Sequence, residues 1–263
     1  MPTNALIFAA AFMCVAMSVG YIVQRNGRSV WIDVIWSAST GIACLVGIIG
    51  AHGESLGRTL LLAALVSFWS LRLVISLTQR ALRFPEDPRY KALREEWGDA
   101  VERKMFLALQ AQAIASFGLV LGVTAAAANP APFPHLLDLL GALVAVASVV
   151  GGAIADTQLT KFRLQPENKG QVCEVGLWRY TRHPNYFFEW LWWCSFPVIA
   201  LAGFAIDWFT IFALLPPVMM YVLLNYGSGI PPLEKHMVAS RGEAYVQLQS
   251  RVNAFFPGPR REG

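Results

Sequence analysis

Between Asp156 and Glu189 the chain gathers Asp156, Lys161, Arg163, Lys169, Arg179, Arg182, His183, Asn185 and Glu189 into one polar stretch with apolar sequence on both sides. Several guanidinium and ammonium groups ahead of a helix start suit a phosphate-bearing ligand. Guanidinium binds phosphate through paired donors, and a helix N-terminus adds partial positive charge. Cations retained on the inner side of a membrane would account for the Lys and Arg residues, but not for the acidic, amide and imidazole groups among them. Glu189 stands one turn past Asn185 inside the apolar run Tyr186-Phe187-Phe188-Glu189-Trp190-Leu191-Trp192-Trp193. A carboxylate there is costly unless it is paired or faces a wet cavity, so a ligand contact is favoured over an ion pair to Arg182 or Arg179.

Two more ionisable groups interrupt apolar sequence nearer the N-terminus. Asp33 lies within Trp31-Ile32-Asp33-Val34-Ile35-Trp36, and Arg72 lies about 14 residues into the stretch 59–78. Each must pair or face water. Arg72 has Asp33, Glu189 or a ligand phosphate as its candidate partner. Asp33 has a salt bridge to Arg72 or Arg28 as the alternative to chemistry. Trp36 and Trp69 are candidates to line a flat apolar pocket, or else pack helices.

The elements that must position these groups are membrane helices. The 263 residues are 56% hydrophobic and 14% charged, with a mean hydropathy of +0.47. Soluble domains run at about 45–50% apolar and about 25% charged, which excludes an ordinary soluble enzyme and a disordered chain. Apolar stretches at 4–23, 30–50, 59–78, 105–128, 135–155, 186–204 and 208–227 predict an all-α membrane protein of about seven spans, with the first retained rather than cleaved. The division expected is one membrane domain over 1–263, with 1–104 on the substrate side and 105–263 on the cofactor side. Lys and Arg divide 19 to 1 between alternate connections, Arg58 being the one on the opposite side, so the C-terminus is expected inside and the N-terminus outside. The basic balance therefore needs no nucleic acid. Cys14, Cys44, Cys173 and Cys194 have neither CxxC spacing nor histidines at ligand distance, so no metal site is expected. The run Glu86-Asp87-Pro88-Arg89-Tyr90 reads as a turn before a surface helix lying along the membrane, with Trp97 at the interface.

Gly176-Leu177-Trp178-Arg179-Tyr180-Thr181-Arg182-His183-Pro184-Asn185-Tyr186, followed by Glu189, resembles the GLW-x-x-x-RHPNY-x-x-E signature of the steroid 5-alpha-reductase C-terminal family and its bacterial relatives. Asp156-Thr157-Gln158, Phe162-Arg163, the Pro166-x-Asn168-Lys169-Gly170 turn and the ending Ser228-Gly229-Ile230-Pro231-Pro232-Leu233-Glu234-Lys235, then Tyr245 and Phe255-Phe256-Pro257, also have counterparts there. One departure is Phe188, where the relatives usually carry glycine.

The resemblance implies NADPH-dependent reduction of the delta-4 double bond of a 3-oxo-steroid. It places Asp156, Arg163, Asn185 and Glu189 at cofactor-contacting positions, joined by Asn168, Lys169, Arg179, Arg182, His183 and Glu234. Asp33, Arg72 and Tyr186 are the catalytic candidates, Asp33 as proton donor or carbonyl polariser, and Trp36 and Trp69 the substrate-binding ones. No GxGxxG fingerprint occurs, so a dinucleotide would be held by helices and loops. The implied setting is a monomer in a bacterial inner membrane with its cofactor site facing the cytoplasm, acting on a steroid or sterol-like lipid. Two alternatives stand beside it: an S-adenosylmethionine-dependent methyltransferase of the isoprenylcysteine or phospholipid type, which shares the Arg-His-Pro-x-Tyr stretch, and a non-enzymatic sterol or lipid binder or transporter.

Overall fold

The computed structural model describes residues 3–26, 29–83, 88–203 and 208–261. Among these the regular secondary structure is all helical: α1 Thr3–Arg25, α2 Trp31–Gly50, α3 Leu56–Arg83, α4 Pro88–Trp97, α5 Val101–Ala127, α6 Leu136–Leu164, α7 Pro184–Ala200, α8 Trp208–Phe212, α9 Leu215–Tyr226, α10 Ile230–Arg241 and α11 Glu243–Arg251, with short 3-10 turns between some of them. Six stretches of the described residues are long and apolar enough to cross a membrane: α1, α2, α3, Leu93–Ala127, α6 and Thr210–Arg241. The protein is a multi-span integral membrane protein. Of the seven apolar stretches in the sequence, 186–204 differs. Its helix α7 has 17 residues with Pro197 inside, and gives way to a 3-10 turn at Leu201–Gly203.

Two helices outrun their apolar stretches. α3 has 28 residues and α6 has 29. At 1.5 Å per residue each is about 42 Å long or slightly more, against a hydrocarbon core of about 30 Å. Asp156, Lys161 and Arg163 therefore lie on the last turns of α6 rather than in a loop. Helix is the local solution that keeps the backbone bonded as the chain leaves the membrane, and α6 stops only where Pro166 forces Gln165 into an extended conformation (ψ 120°). The expected stretch 208–227 is broken between α8 and α9, because Pro216 and Pro217 have no N–H to donate to the preceding turn. Glu86 and Asp87 lie outside the described residues, as does Arg28; helix α4 follows at Pro88, and Lys104 Nζ lies 5.9 Å from the Trp97 ring.

The chain forms two compact units, Met1–Leu143 with Cys194–Met219 and Val144–Trp193 with Met220–Gly263. In the first, α2 is the central helix, packed against α1, α3 and α5. Close approach there depends on missing side chains: a Cβ on Gly41 would strike the Ser70 side chain of α3, and one on Gly47 the Thr124 hydroxyl of α5. Hydroxyl and indole donors add cross-links, Ser70 to the Ser37 carbonyl (3.0 Å) and Trp36 Nε1 to Ser116 Oγ (2.6 Å). Small residues and interhelical hydrogen bonds are what hold helices together where burial from water supplies no drive between them.

Arg58 departs from its expected place as a lone cation in an outer connection. It sits in the first turn of α3, wholly buried, with Nε 2.8 Å from Asp138 Oδ1 and Nη2 2.9 Å from Oδ2. Its Nη1 donates to the carbonyls of Asn129 (2.7 Å) and Ala131 (2.9 Å), and Asn129 Nδ2 donates in turn to the Ile199 carbonyl (2.8 Å). Desolvation of both charges is offset by this nearly complete set of bonds.

Candidate functional site

The second unit holds the polar stretch and its partners. Its framework begins at α6, where the Gln158 side chain accepts the Leu177 N–H (2.9 Å) and the Ala155 carbonyl accepts the Trp178 indole N–H (3.0 Å). Gly176 is fixed by this docking. Its φ is +55°, and a Cβ would meet the Gln158 amide, so glycine satisfies both the backbone and the space.

The next residues are tied to the C-terminal part of the chain. The Thr181 hydroxyl donates to the carbonyls of Ala254 and Phe255 (3.0 Å each), and Arg182 N–H donates to the Asn253 carbonyl (2.9 Å). Glu234 of α10 is the hub. It takes Arg182 Nε on Oε1 (2.6 Å) and Nη2 on Oε2 (3.1 Å), Gln249 Nε2 on Oε2 (2.8 Å) and the Tyr245 hydroxyl on Oε1 (3.3 Å), and His183 Nε2 lies 3.0 Å from Oε1. Arg182 Nη1 donates to the Gln249 carbonyl (3.2 Å) and to the Val252 carbonyl. All three nitrogens of this guanidinium thus bond the protein, and it works as a brace between α10, α11 and the turn before α7.

His183 is 3% exposed. Burial holds its imidazole below the ordinary histidine range, against the opposing pull of Glu234. Burial also pushes the Tyr245 hydroxyl up, and the Glu234 charge adds to this, so Tyr245 stays a protonated donor. The Tyr186 ring stacks on His183, with centroids 5.5 Å apart and planes 15° from parallel.

Asn185 stands at the second residue of α7, half-buried. Its side chain forms no hydrogen bond among the described residues, in contrast to the saturated Arg182 three residues before it. Glu189, one turn on, accepts the Trp193 indole N–H at 3.1 Å. Phe188 points elsewhere: its ring fills the space above Gly151 of α6, where a Cβ would overlap it. The phenyl group is accommodated by a glycine on the facing helix.

Asp156 is half-buried on α6, while Arg163, Lys169 and Arg179 are exposed. Asn168 Nδ2 bonds the Phe162 carbonyl (2.9 Å) and Gln165 Oε1 (2.7 Å), shaping the turn that follows α6. The remaining candidates lie in the first unit. Asp33 is half-buried in the first turn of α2, Arg72 half-buried in α3, and Trp69 is 1% exposed with its ring edge-on to Trp36, centroids 6.3 Å apart. Gln249 and the pair Arg58–Asp138 were not picked out by sequence reasoning. Asp138 had a usable signal, an acid four residues into an apolar stretch, whereas Gln249 had none.

No curated protein and no solved structure matches the chain. One family model, described as a protein of unknown function (DUF1295), matches residues 20–252, nearly the whole of the helical chain, and the protein belongs to that family.

Proposed function

We propose that this protein is an NADPH-dependent reductase of the steroid 5-alpha-reductase type, saturating the delta-4 double bond of a 3-oxo-steroid or sterol-like lipid, with its cofactor site on the cytoplasmic face of a bacterial inner membrane. The observation that carries the reading is Asn185. In the resembling signature it is a cofactor-contacting residue, and here its amide is half-buried at a helix start with no side-chain partner among the described residues. Exposed Arg163, Lys169 and Arg179 give the same unit the cations that phosphates require. The residues present therefore fit a dinucleotide.

When bound, that cofactor supplies a hydride to the enone beta carbon, and a proton goes to the alpha carbon. The roles left to the chain follow from this. Asn185 and Glu189 orient the cofactor, with Asp156 and Asn168 helping to shape its surroundings. Arg182, His183 and Glu234 hold the turn that presents Asn185. In the first unit Asp33 polarises the carbonyl oxygen or provides the proton, Arg72 stabilises developing charge, and Trp36 and Trp69 wall the flat substrate; Tyr186 is the catalytic candidate of the second unit. A single well-placed donor at a developing oxyanion is worth roughly 100-fold in rate or more.

A second reading rests on the contact of the Tyr245 hydroxyl with Glu234, since the isoprenylcysteine-type methyltransferases share a related Glu-plus-Tyr ending, although they commonly carry a pair of Glu where this chain has Glu234 alone. One assay separates the two: purified protein in detergent is given NADPH with progesterone or testosterone, and S-adenosylmethionine in a parallel arm. Steroid-dependent loss of absorbance at ~340 nm with a product two hydrogens heavier supports the reductase. Methyl transfer, with no NADPH consumption, replaces it by the methyltransferase.

A further inference from the structure

Residues 252–261 form a strap after α11. Backbone bonds lay it along the segment before α7, through Arg182 N–H to the Asn253 carbonyl (2.9 Å) and Gly258 N–H to the Tyr180 carbonyl (3.0 Å). Its Phe255 and Phe256 join a cluster of rings with Phe187 and Trp190 of α7 and Tyr221 of α9. Phe256 stacks on Tyr221 (6.0 Å, 29°) and stands edge-on to Trp190 (5.5 Å, 90°). Phe255 is buried, yet Phe256 is 47% exposed and Tyr226, which meets Tyr221 at 6.1 Å, is 73% exposed.

The helix beneath fixes what those exposed faces meet. On α9 the exposed residues Val218, Val222 and Tyr226 recur every four positions, one continuous apolar stripe of the kind a spanning helix turns to lipid. Tyr226 closes the stripe at the last residue of α9. Tyr221 lies five residues earlier, about 7.5 Å further along the helix axis. Phe256, stacked on Tyr221, is therefore carried back along α9, part of the apolar stretch Thr210–Arg241, past the aromatic end of that helix, although it belongs to a segment rich in cations. Around the strap Arg251 and Arg260 both bond Glu174, Arg260 also bonds the Arg179 carbonyl and Arg261 bonds Asn253. Three guanidinium groups, Arg251, Arg260 and Arg261, flank the strap, and the first two share the Glu174 carboxylate. Rings at the edge of the apolar region with a surplus of positive charge beside them match the boundary between acyl chains and anionic headgroups.

We propose that the strap is a membrane-interface element, with Phe256 and Tyr226 seated at the acyl–headgroup boundary and the neighbouring arginines facing anionic lipid. The test uses the full chain in nanodiscs of phosphatidylcholine and phosphatidylglycerol, with its four cysteines replaced and a nitroxide placed at Phe256→Cys, at Tyr226→Cys or, as a water-exposed reference on α11, at Glu243→Cys. At 256 and 226 collisions with oxygen should exceed those with a water-soluble nickel chelate several-fold, and the order should reverse at 243. A second measurement leaves the ring in place: 4-fluorophenylalanine at position 256, with fluorine relaxation by the same two reagents, should report the same preference for oxygen. Chelate contact at 256 equal to that at 243 in both measurements overturns the proposal.

Discussion

Arg58 and Asp138 meet in a two-pronged ion pair of 2.8 and 2.9 Å from which solvent is entirely excluded. The pair joins the first turn of α3 to the first turn of α6, and Asp138 Oδ2 also accepts the His135 N–H at 2.9 Å. Removing one partner leaves the other charged, buried and uncompensated. Asp138→Ala is therefore expected to cost about 3–5 kcal/mol, whereas the double variant Arg58→Met with Asp138→Leu should lie nearer the wild type. Thermal unfolding in detergent compares them, and an unchanged melting temperature for Asp138→Ala would remove the pair from any structural role.

The contact between Phe188 and Gly151 is a matter of volume. Gly151→Leu forces the Phe188 ring out of its place against α6 and should destabilise by about 1–3 kcal/mol. Adding Phe188→Ala reopens the space, so the double variant should recover most of that loss. Equal melting temperatures for the single and double variants would mean the two sites are independent.

Asn185 and Glu234 should separate binding from architecture. Asn185→Ala removes an amide that bonds no described side chain, so the expected outcome is unchanged thermal stability with NADPH affinity lowered about tenfold, equivalent to about 1.4 kcal/mol. Glu234→Ala strips Arg182 and His183 of their shared acceptor and is expected to lower the melting temperature as well as binding. Titration of NADPH fluorescence alongside thermal unfolding reads both. Full NADPH affinity in Asn185→Ala refutes the cofactor assignment.

His183 gives the stability a pH dependence of known sign. Its folded-state affinity for protons is held below that of the unfolded chain, whose imidazole has the ordinary value of 6.5. Below that pH the unfolded state binds a proton that the folded state refuses, so this contribution is fully present above about 6.5. It then falls by up to about 1.4 kcal/mol per pH unit until the folded group also titrates. Melting temperatures between pH 8 and pH 5 should drop more steeply for the wild type than for His183→Gln, and parallel curves would contradict the assignment.

The sequence by itself determined that this is a helical membrane protein, because apolar stretches of about 20 residues have few alternatives to spanning helices. It also marked the segment from Asp156 to Glu189, since so many polar side chain types between two apolar runs have no simple explanation in membrane topology. The tertiary structure decided the rest for reasons of pairing and space. Hydrogen-bond partners far apart in the chain, such as Arg182 with Glu234 and Val252, cannot be read from local pattern, so a phosphate-binding arginine and a structural brace look alike until the acceptors are seen. Helix length beyond the membrane depends on where a proline interrupts it, which put Asp156 and Arg163 on α6. Burial of Arg58 depended on Asp138, 80 positions away, arriving to neutralise it, and the fit of Phe188 on a glycine of the facing helix.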